Sequence, residues 1–151
     1  MMRASLFTIL VMFMAMPALS MIRTLPFPDL VKTSEVIVIA TVAAQEVLPG
    51  EKIAKTTTSL TVEKVLKGEI KAEESLQFTT PGTKERPVRD RPVFPGQGER
   101  VLLFLVKNDE GAWRLQNGMQ GLWPLEAGSD KTLGMGFNYS IEKIQEELAK
   151  K

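Results

Sequence analysis

The sequence contains neither cysteine nor histidine, and the two absences exclude several classes of protein chemistry. Without cysteine there is no disulfide, no thiolate nucleophile and no thiolate metal ligand, so a stable fold must depend on its hydrophobic core. Without histidine there is no Ser-His-Asp triad and no imidazole ligand for a metal. Only carboxylate, lysine, tyrosine or serine–lysine chemistry remains. We therefore expect a protein that is not an enzyme and has no catalytic site, metal site or cofactor.

The chain also lacks an excess of charge of one sign, since 19 basic side chains are matched by 18 acidic ones. Nucleic acids and anionic membrane surfaces attract proteins with a basic surplus. We therefore expect no nucleic-acid partner.

The first twenty residues have the layout of a secretory signal peptide. Arg3 is followed by an apolar run, and the small residues Ala18 and Ser20 suit positions −3 and −1 of a cleavage before Met21. The run is about 13 residues long, whereas a helix needs roughly 20 to span a bilayer, so a retained anchor is the weaker alternative. We predict a signal peptide over residues 1–20, a periplasmic or extracellular protein, and contact with the membrane only during export.

Removing this leader leaves about 130 residues, which is the size of one domain with its own hydrophobic core. We therefore predict a single domain over residues 21–151. Runs of β-branched and alternating residues indicate a mainly antiparallel β-fold of about five to six strands. The predicted strands are 36–42, 54–66, 75–80, 101–106, 112–116 and 120–125.

Three details refine these strands. The alternation in the second strand slips at Val65 and Leu66, which are both apolar, and such a slip predicts a β-bulge. The strand 101–106 is apolar at every position, so we expect it to be central, with a β core on one side and a helix on the other. Pro124 confines the last strand to an edge or a bulge.

Two short helices are predicted at the ends of the mature chain. Residues 29–34 can form one or two helical turns before the first strand. Ile141, Ile144 and Leu148 recur at helical spacing and predict a helix over 141–150, with Ser140 as its N-cap. Between the third and fourth strands, residues 81–98 are rich in proline and glycine and predict a long surface loop.

Four segments together resemble a widespread group of uncharacterised secreted bacterial and archaeal proteins. They are residues 36–42, 60–68 (LTVEKVLKG), 92–105 (PVFPGQGERVLLFL) and 120–123 (QGLW). In that group a VEKVLKG strand precedes a PxFxxGExVLLFL strand and a GxQGxF hairpin. The group resembles the five-stranded OB-type barrels of tissue inhibitors of metalloproteinases and of netrin modules. The resemblance covers most of residues 35–125, and it implies a small antiparallel OB-like β-barrel with a short N-terminal and a C-terminal helix.

The resemblance implies a fold and no mechanism. Tissue inhibitors of metalloproteinases bind the zinc of a protease through an N-terminal cysteine, and disulfides brace their barrel. This chain has no cysteine, so that mechanism does not transfer to it.

A basic segment within the predicted loop is a candidate partner-binding site. Arg86, Arg89 and Arg91 carry guanidinium groups that suit phosphate, sulfate or carboxylate. Glu85 and Asp90 offset part of this charge, so the alternative is a solvated loop with local ion pairs.

The two tryptophans are further candidates. Trp113 and Trp123 could line a sugar- or peptide-binding face, as aromatic residues do on OB barrels, or they could cover the core. Because Trp123 precedes Pro124 on a predicted edge strand, we expect Trp123 to be the more exposed. We therefore add it to the three arginines as a candidate contact for a partner.

These features predict an exported, non-catalytic binding or interaction module of the cell envelope or extracellular space. Its partner would be a protein or an anionic or glycan ligand. The alternative is a cysteine-free protease inhibitor that wedges a loop into an active site. A carboxylate-based enzyme ranks third, because no spacing selects two converging side chains among the candidate acids Glu46, Glu51, Glu63, Glu73 and Glu74.

Overall fold

The computed structural model describes residues 23–133 and 139–150, which form one antiparallel sheet of six strands with two α-helices. The prediction of a mainly β-fold is therefore confirmed. The predicted signal peptide, with Ala18 and Ser20, lies outside the described residues. The elements are α1 (Phe27–Thr33), β1 (Val36–Leu48), β2 (Lys55–Lys67), β3 (Ser75–Pro81), β4 (Arg100–Lys107), β5 (Trp113–Leu115), β6 (Leu122–Pro124) and α2 (Ile141–Ala149).

The strands follow the order β3-β2-β1-β4-β5, and β6 pairs with β4 beside β5. Three consecutive strands lie side by side, and the long connection after β3 returns the chain to the free side of β1. This arrangement is a Greek key. No ladder between described residues joins β3 to β5, so hydrogen bonds do not close the sheet.

β1 is longer than the predicted strand 36–42. Its polar continuation remains extended because it pairs with β2 as far as Leu48 and Lys55. The ladder satisfies the backbone groups there although most of the side chains are exposed. Burial patterns in the sequence mark only the part of a strand that contacts a core, and the prediction therefore stopped too early.

The β-bulge predicted at Val65 and Leu66 is confirmed. Ile37 pairs with Lys67, but Val38 pairs with Val65, so Leu66 is the extra residue of β2. Val65 packs on one side of the sheet and Leu66 on the other. Successive strand residues point to opposite faces, so these two apolar side chains contact different cores, and the bulge shifts the pairing of Lys67 by one residue.

The first core lies among the strands. This sheet core consists of Val36, Val38, Ala40, Val42, Leu60, Val62, Leu76, Phe78, Phe94, Val101, Leu103, Leu105, Leu115 and Leu122. It contains no residue of either helix, yet it joins Leu76 and Phe78 of β3 to Leu115 of β5. Since β3 and β5 are at opposite ends of the strand order, the sheet must curl around this core.

The second core lies between the sheet and the helices. This helix core consists of Leu30, Val31, Ile37, Ile39, Leu102, Phe104, Trp123, Leu125, Ile141 and Ile144. Successive residues of β4 alternate between the two cores, which explains why this strand is apolar at every position. The prediction of a central strand with a helix on one side is confirmed.

Both predicted helices are present. Ser140 caps α2, because its hydroxyl accepts a hydrogen bond from the backbone N–H of Lys143 at 3.3 Å. At the other helix, Lys67 Nζ donates to the carbonyl oxygens of Val31 and Lys32 at 2.9 and 3.0 Å, which satisfies the end of α1. Burial lowers the pKa of Lys67. Neither helix of the described segments is long and apolar enough to cross a membrane.

Candidate functional site

Trp123 lies in the helix core and offers no surface to a partner. Its side chain is 2% exposed, and its indole N–H donates to the carbonyl oxygen of Gln120 at 2.8 Å. The rings of Phe27 and Tyr139 stack near it, with centroids at 6.1 and 5.8 Å. The prediction that Trp123 is the more exposed tryptophan is therefore wrong. Pro124 does end a strand at an edge, but α1 and Tyr139 cover the indole beside it.

Trp113 is the tryptophan with accessible surface. It is half-buried and packs against the sheet core from β5. The ammonium of Lys107 lies 4.9 Å from the centroid of the Trp113 ring, so a cation–π contact covers one face of the indole. A partner that reaches this end of the sheet would contact Trp113.

The connection between β3 and β4 lies against the sheet at its C-terminal part. Phe94 is 3% exposed and stacks on Phe78 of β3, with ring centroids 5.5 Å apart. Farther along, the backbone N–H of Gly98 donates to the carbonyl oxygen of Val42 at 2.8 Å. Residues 84–91, which are exposed apart from the half-buried Val88, precede these contacts, and we call them the basic turn.

The structure places all three candidate arginines on the basic turn, and all three are exposed. Arg89 pairs with Asp90 at 3.7 Å, but the Arg89 side chain is 95% exposed, so this pair contributes little to stability. Arg91 differs from Arg86 and Arg89 because it also lines a cleft at the edge of the sheet.

This edge cleft, of about 340 Å³, lies between β3 and β5, the two ends of the strand order. Its lining includes two arginines, Arg91 and Arg114, and the half-buried Trp113, and no aspartate or glutamate of the described residues lines it. The remaining lining residues are Gln77, Phe78, Thr79, Thr80, Pro81, Pro92, Leu115 and Gly118. The cleft therefore combines an apolar base with positive charge.

The candidate acids do not form a metal centre, since no group of three or more acidic residues in the described segments could hold an ion. Glu63 has a structural contact instead. Its carboxylate accepts two hydrogen bonds from Arg100, at 2.9 and 3.0 Å. This hydrogen bonding, with a contribution from Asp130, raises the pKa of Arg100 above its ordinary value.

Sequence reasoning identified Arg86, Arg89 and Arg91 but missed Arg114 and the edge cleft. Arg114 belongs to a short strand far along the chain from the basic turn, and only the curl of the sheet brings the strand to Arg91. No protein-family model and no curated protein matches the chain. The assignment of the site therefore rests on geometry and charge.

Proposed function

We propose that this protein is an exported, non-catalytic binding module for an anionic partner. Arg91 carries the proposal, because it belongs to the basic turn and also lines the edge cleft beside Trp113 and Arg114. Exposed guanidinium groups and an accessible aromatic ring are thus gathered at one end of a curled sheet. Such a combination suits recognition of carboxylate, phosphate or sulfate groups.

The proposal includes an OB-like barrel as the scaffold. The Greek-key strand order, the curl around the sheet core and the bulge at Leu66 support it, since OB folds are partly open five-stranded Greek-key barrels. The resemblance to secreted proteins and to the barrels of metalloproteinase inhibitors and netrin modules belongs to the same proposal. The two longest segments that carry the resemblance are residues 60–68, which contribute to β2, and residues 92–105, which contribute to β4.

Export is supported by the basic start, apolar run and small residues at Ala18 and Ser20. Mass spectrometry of the protein from its native host is expected to find a mature N-terminus at Met21. An intact Met1 on protein from the cytoplasmic fraction would contradict export while leaving the binding proposal open to its own test.

The binding test replaces Arg86, Arg89 and Arg91 together by alanine. Each charge-assisted contact is expected to contribute about 1.5–3 kcal/mol to binding where the partner excludes water, and little where water remains. A matched control replaces the exposed residues Lys52, Lys64 and Lys71 by alanine, which removes the same charge at positions that do not line the cleft.

The wild-type protein is immobilised and exposed to glycan arrays, acidic peptide arrays and cross-linked envelope extract. We expect it to retain ligands that the triple arginine variant loses and the lysine control keeps. The triple variant should also melt at the wild-type temperature, because the basic turn lies outside both cores. Equal retention by all three proteins would exclude the basic turn from binding, and no retention by the wild type would contradict the function.

A cysteine-free protease inhibitor is the second candidate, favoured by the hairpin between β1 and β2. Its ladder continues to Leu48 and Lys55, and beside it Val47 and Ile53 are 56% and 50% exposed. A paired hairpin with apolar side chains near its tip could enter an active site. We would assay a panel of proteases with the wild type and with V47S/I53S, and inhibition that survives this double substitution would reject the hairpin as the wedge.

A further inference from the structure

The directions of the strands leave a defined vacancy at the edge cleft. Neighbours along β3-β2-β1-β4-β5 are antiparallel at every step, so β3 and β5 run in the same direction. An odd number of alternating strands cannot close with an antiparallel pair. One additional strand between β3 and β5 could run antiparallel to both, which is the slightly more stable pairing.

β3 presents unpaired backbone groups towards this position. Glu74 and Gly82, on either side of β3, both hydrogen-bond towards β2. Hydrogen-bonded positions alternate along an antiparallel pair, so the even-numbered residues of β3 bond to β2. The N–H and C=O groups of Gln77 and Thr79 therefore point towards the cleft. The next position in this series is Pro81, which has no N–H to donate.

β5 presents the matching edge. Ala112 and Gln116, on either side of β5, both hydrogen-bond towards β4. By the same alternation, the N–H and C=O groups of Trp113 and Leu115 point away from β4. Gln77, Thr79, Trp113 and Leu115 all line the edge cleft. Two strand edges thus face one space with their hydrogen-bonding groups directed into it.

The charge of the lining selects the occupant. Arg91 and Arg114 are exposed, and no carboxylate among the described residues lines the cleft to neutralise them. The volume of about 340 Å³ is at the lower end of the range for ligand pockets and suits a few residues of extended chain. Arginine side chains on both sides of an added strand would pair with its acidic side chains.

We propose that the edge cleft binds an extended acidic peptide segment of a partner protein as an additional strand, antiparallel to both β3 and β5. Main-chain hydrogen bonds to Gln77, Thr79, Trp113 and Leu115 supply the pairing, as in other cases of β-strand addition. Arg91 and Arg114 supply the preference for acidic side chains, and Trp113 supplies an apolar contact. This inference rests on the proposed binding function and names its site and ligand class.

The experiment follows backbone amide signals by NMR during titration with an acetylated peptide of alternating glutamate and valine. A peptide of the same length with lysine in place of glutamate is the charge control. We expect shifts at Gln77, Thr79, Trp113 and Leu115 with the acidic peptide, weakened by added salt, and none with the lysine peptide.

Matched variants separate backbone pairing from side-chain contacts. T79P removes one outward N–H and is compatible with an edge strand, whereas T79A keeps that N–H. T79P is expected to lower the affinity for the acidic peptide about fivefold to tenfold, and T79A is expected to leave that affinity unchanged. R114Q is expected to weaken binding by a similar factor, and K64Q, which removes an exposed positive charge outside the cleft and the basic turn, to have little effect. Amide dispersion and melting temperature verify that each variant is folded, and R114Q serves as the test if T79P is not.

Several outcomes would overturn the inference. Equal binding of the lysine peptide would remove the charge argument, and equal affinity of T79P and T79A would remove the strand pairing. Concentration-dependent dimerisation with shifts at Gln77 and Thr79, and no response to the acidic peptide, would assign the cleft to a second copy of this chain. Shifts confined to residues 84–91 would reject the edge cleft while preserving the binding function. No binding here and no retention on the arrays would reject both.

Discussion

At the scale of single residues, the two tryptophans occupy opposite sides of the sheet. Trp123 belongs to the helix core and Trp113 packs against the sheet core. A buried indole requires an acceptor for its N–H, which Gln120 supplies at 2.8 Å. Both residues lie in three-residue strands that follow turn-rich segments, so their neighbours in sequence do not distinguish them. Their environments differ because the register places Trp123 opposite Leu102, on the helix-core face of β4, and Trp113 opposite Lys107, on the other face.

Single-tryptophan variants test this difference. W113F, which retains Trp123, is expected to emit at shorter wavelength and to resist acrylamide quenching, because the remaining indole is 2% exposed. W123F, which retains Trp113, is expected to emit at longer wavelength and to be quenched readily. Equal quenching of the two folded variants would contradict the burial of Trp123.

Arg100 is the second residue-scale test. It makes two hydrogen bonds to Glu63 and one to Asp130, and its side chain is 29% exposed. R100A is expected to lower the free energy of unfolding in urea by about 1–2 kcal/mol, since partial exposure weakens each charged contact. R89A is the control, because Arg89 also pairs with a carboxylate but is 95% exposed. Equal effects of the two substitutions would show that the Arg100 contacts contribute nothing beyond a surface pair.

At the scale of elements, shifts in the pairing of β1 with β2 determine which residues of β2 face which core. Leu66 is the extra residue between the pairs Ile37–Lys67 and Val38–Val65. A shift of one residue exchanges the two faces of a strand. A second register shift lies at Glu63, between the pairs Ala40–Val62 and Ile39–Lys64, and it returns Val65 to the core that Leu60 and Val62 face. The bulge also bends the strand, which contributes to the curl of the sheet.

Deleting Leu66 is therefore expected to lower the free energy of unfolding by more than replacing Leu66 with alanine does. L66A removes part of a half-buried side chain and should lower the free energy of unfolding by about 1–2 kcal/mol. The deletion also removes the bulge and the bend that it gives to the strand, so its urea midpoint should lie clearly below that of L66A. A deletion variant as stable as L66A would show that the bulge contributes nothing to stability beyond the Leu66 side chain.

At the scale of the whole molecule, two cores share the same strands. β1 and β4 each contribute alternate residues to the sheet core and to the helix core. Loss of either core would expose apolar side chains of the strands that support the other. We infer that the helices cannot separate from the sheet without destabilising it, and that the molecule unfolds as one unit.

Coincident unfolding transitions test this inference. Trp113 in W123F reports on the sheet core, and Trp123 in W113F reports on the helix core. Within each variant, the urea transition seen by fluorescence is expected to coincide with the transition seen by far-ultraviolet circular dichroism. A fluorescence transition of Trp123 at lower urea than the loss of β-structure would show that the helix core melts separately.

Local patterns in the sequence were sufficient for much of the fold. The slip at Val65 and Leu66 predicted the bulge, the spacing of Ile141, Ile144 and Leu148 predicted α2, and Ser140 predicted its cap. Each of these features depends on neighbours within a few residues, where backbone geometry and side-chain periodicity act directly. The basic turn was equally visible as a charged segment interrupted by proline.

Tertiary structure alone decided the features that join distant parts of the chain. The continuation of β1 to Leu48 depends on pairing with β2, and the burial of Trp123 depends on α1 and Tyr139. The edge cleft exists because the sheet curls and brings Arg91 to Arg114. Side-chain periodicity records whether a residue is buried but not which distant strand buries it. The composition without cysteine or histidine thus determined that no disulfide, thiolate or imidazole chemistry is present, and the curl of the sheet determined where the edge cleft lies.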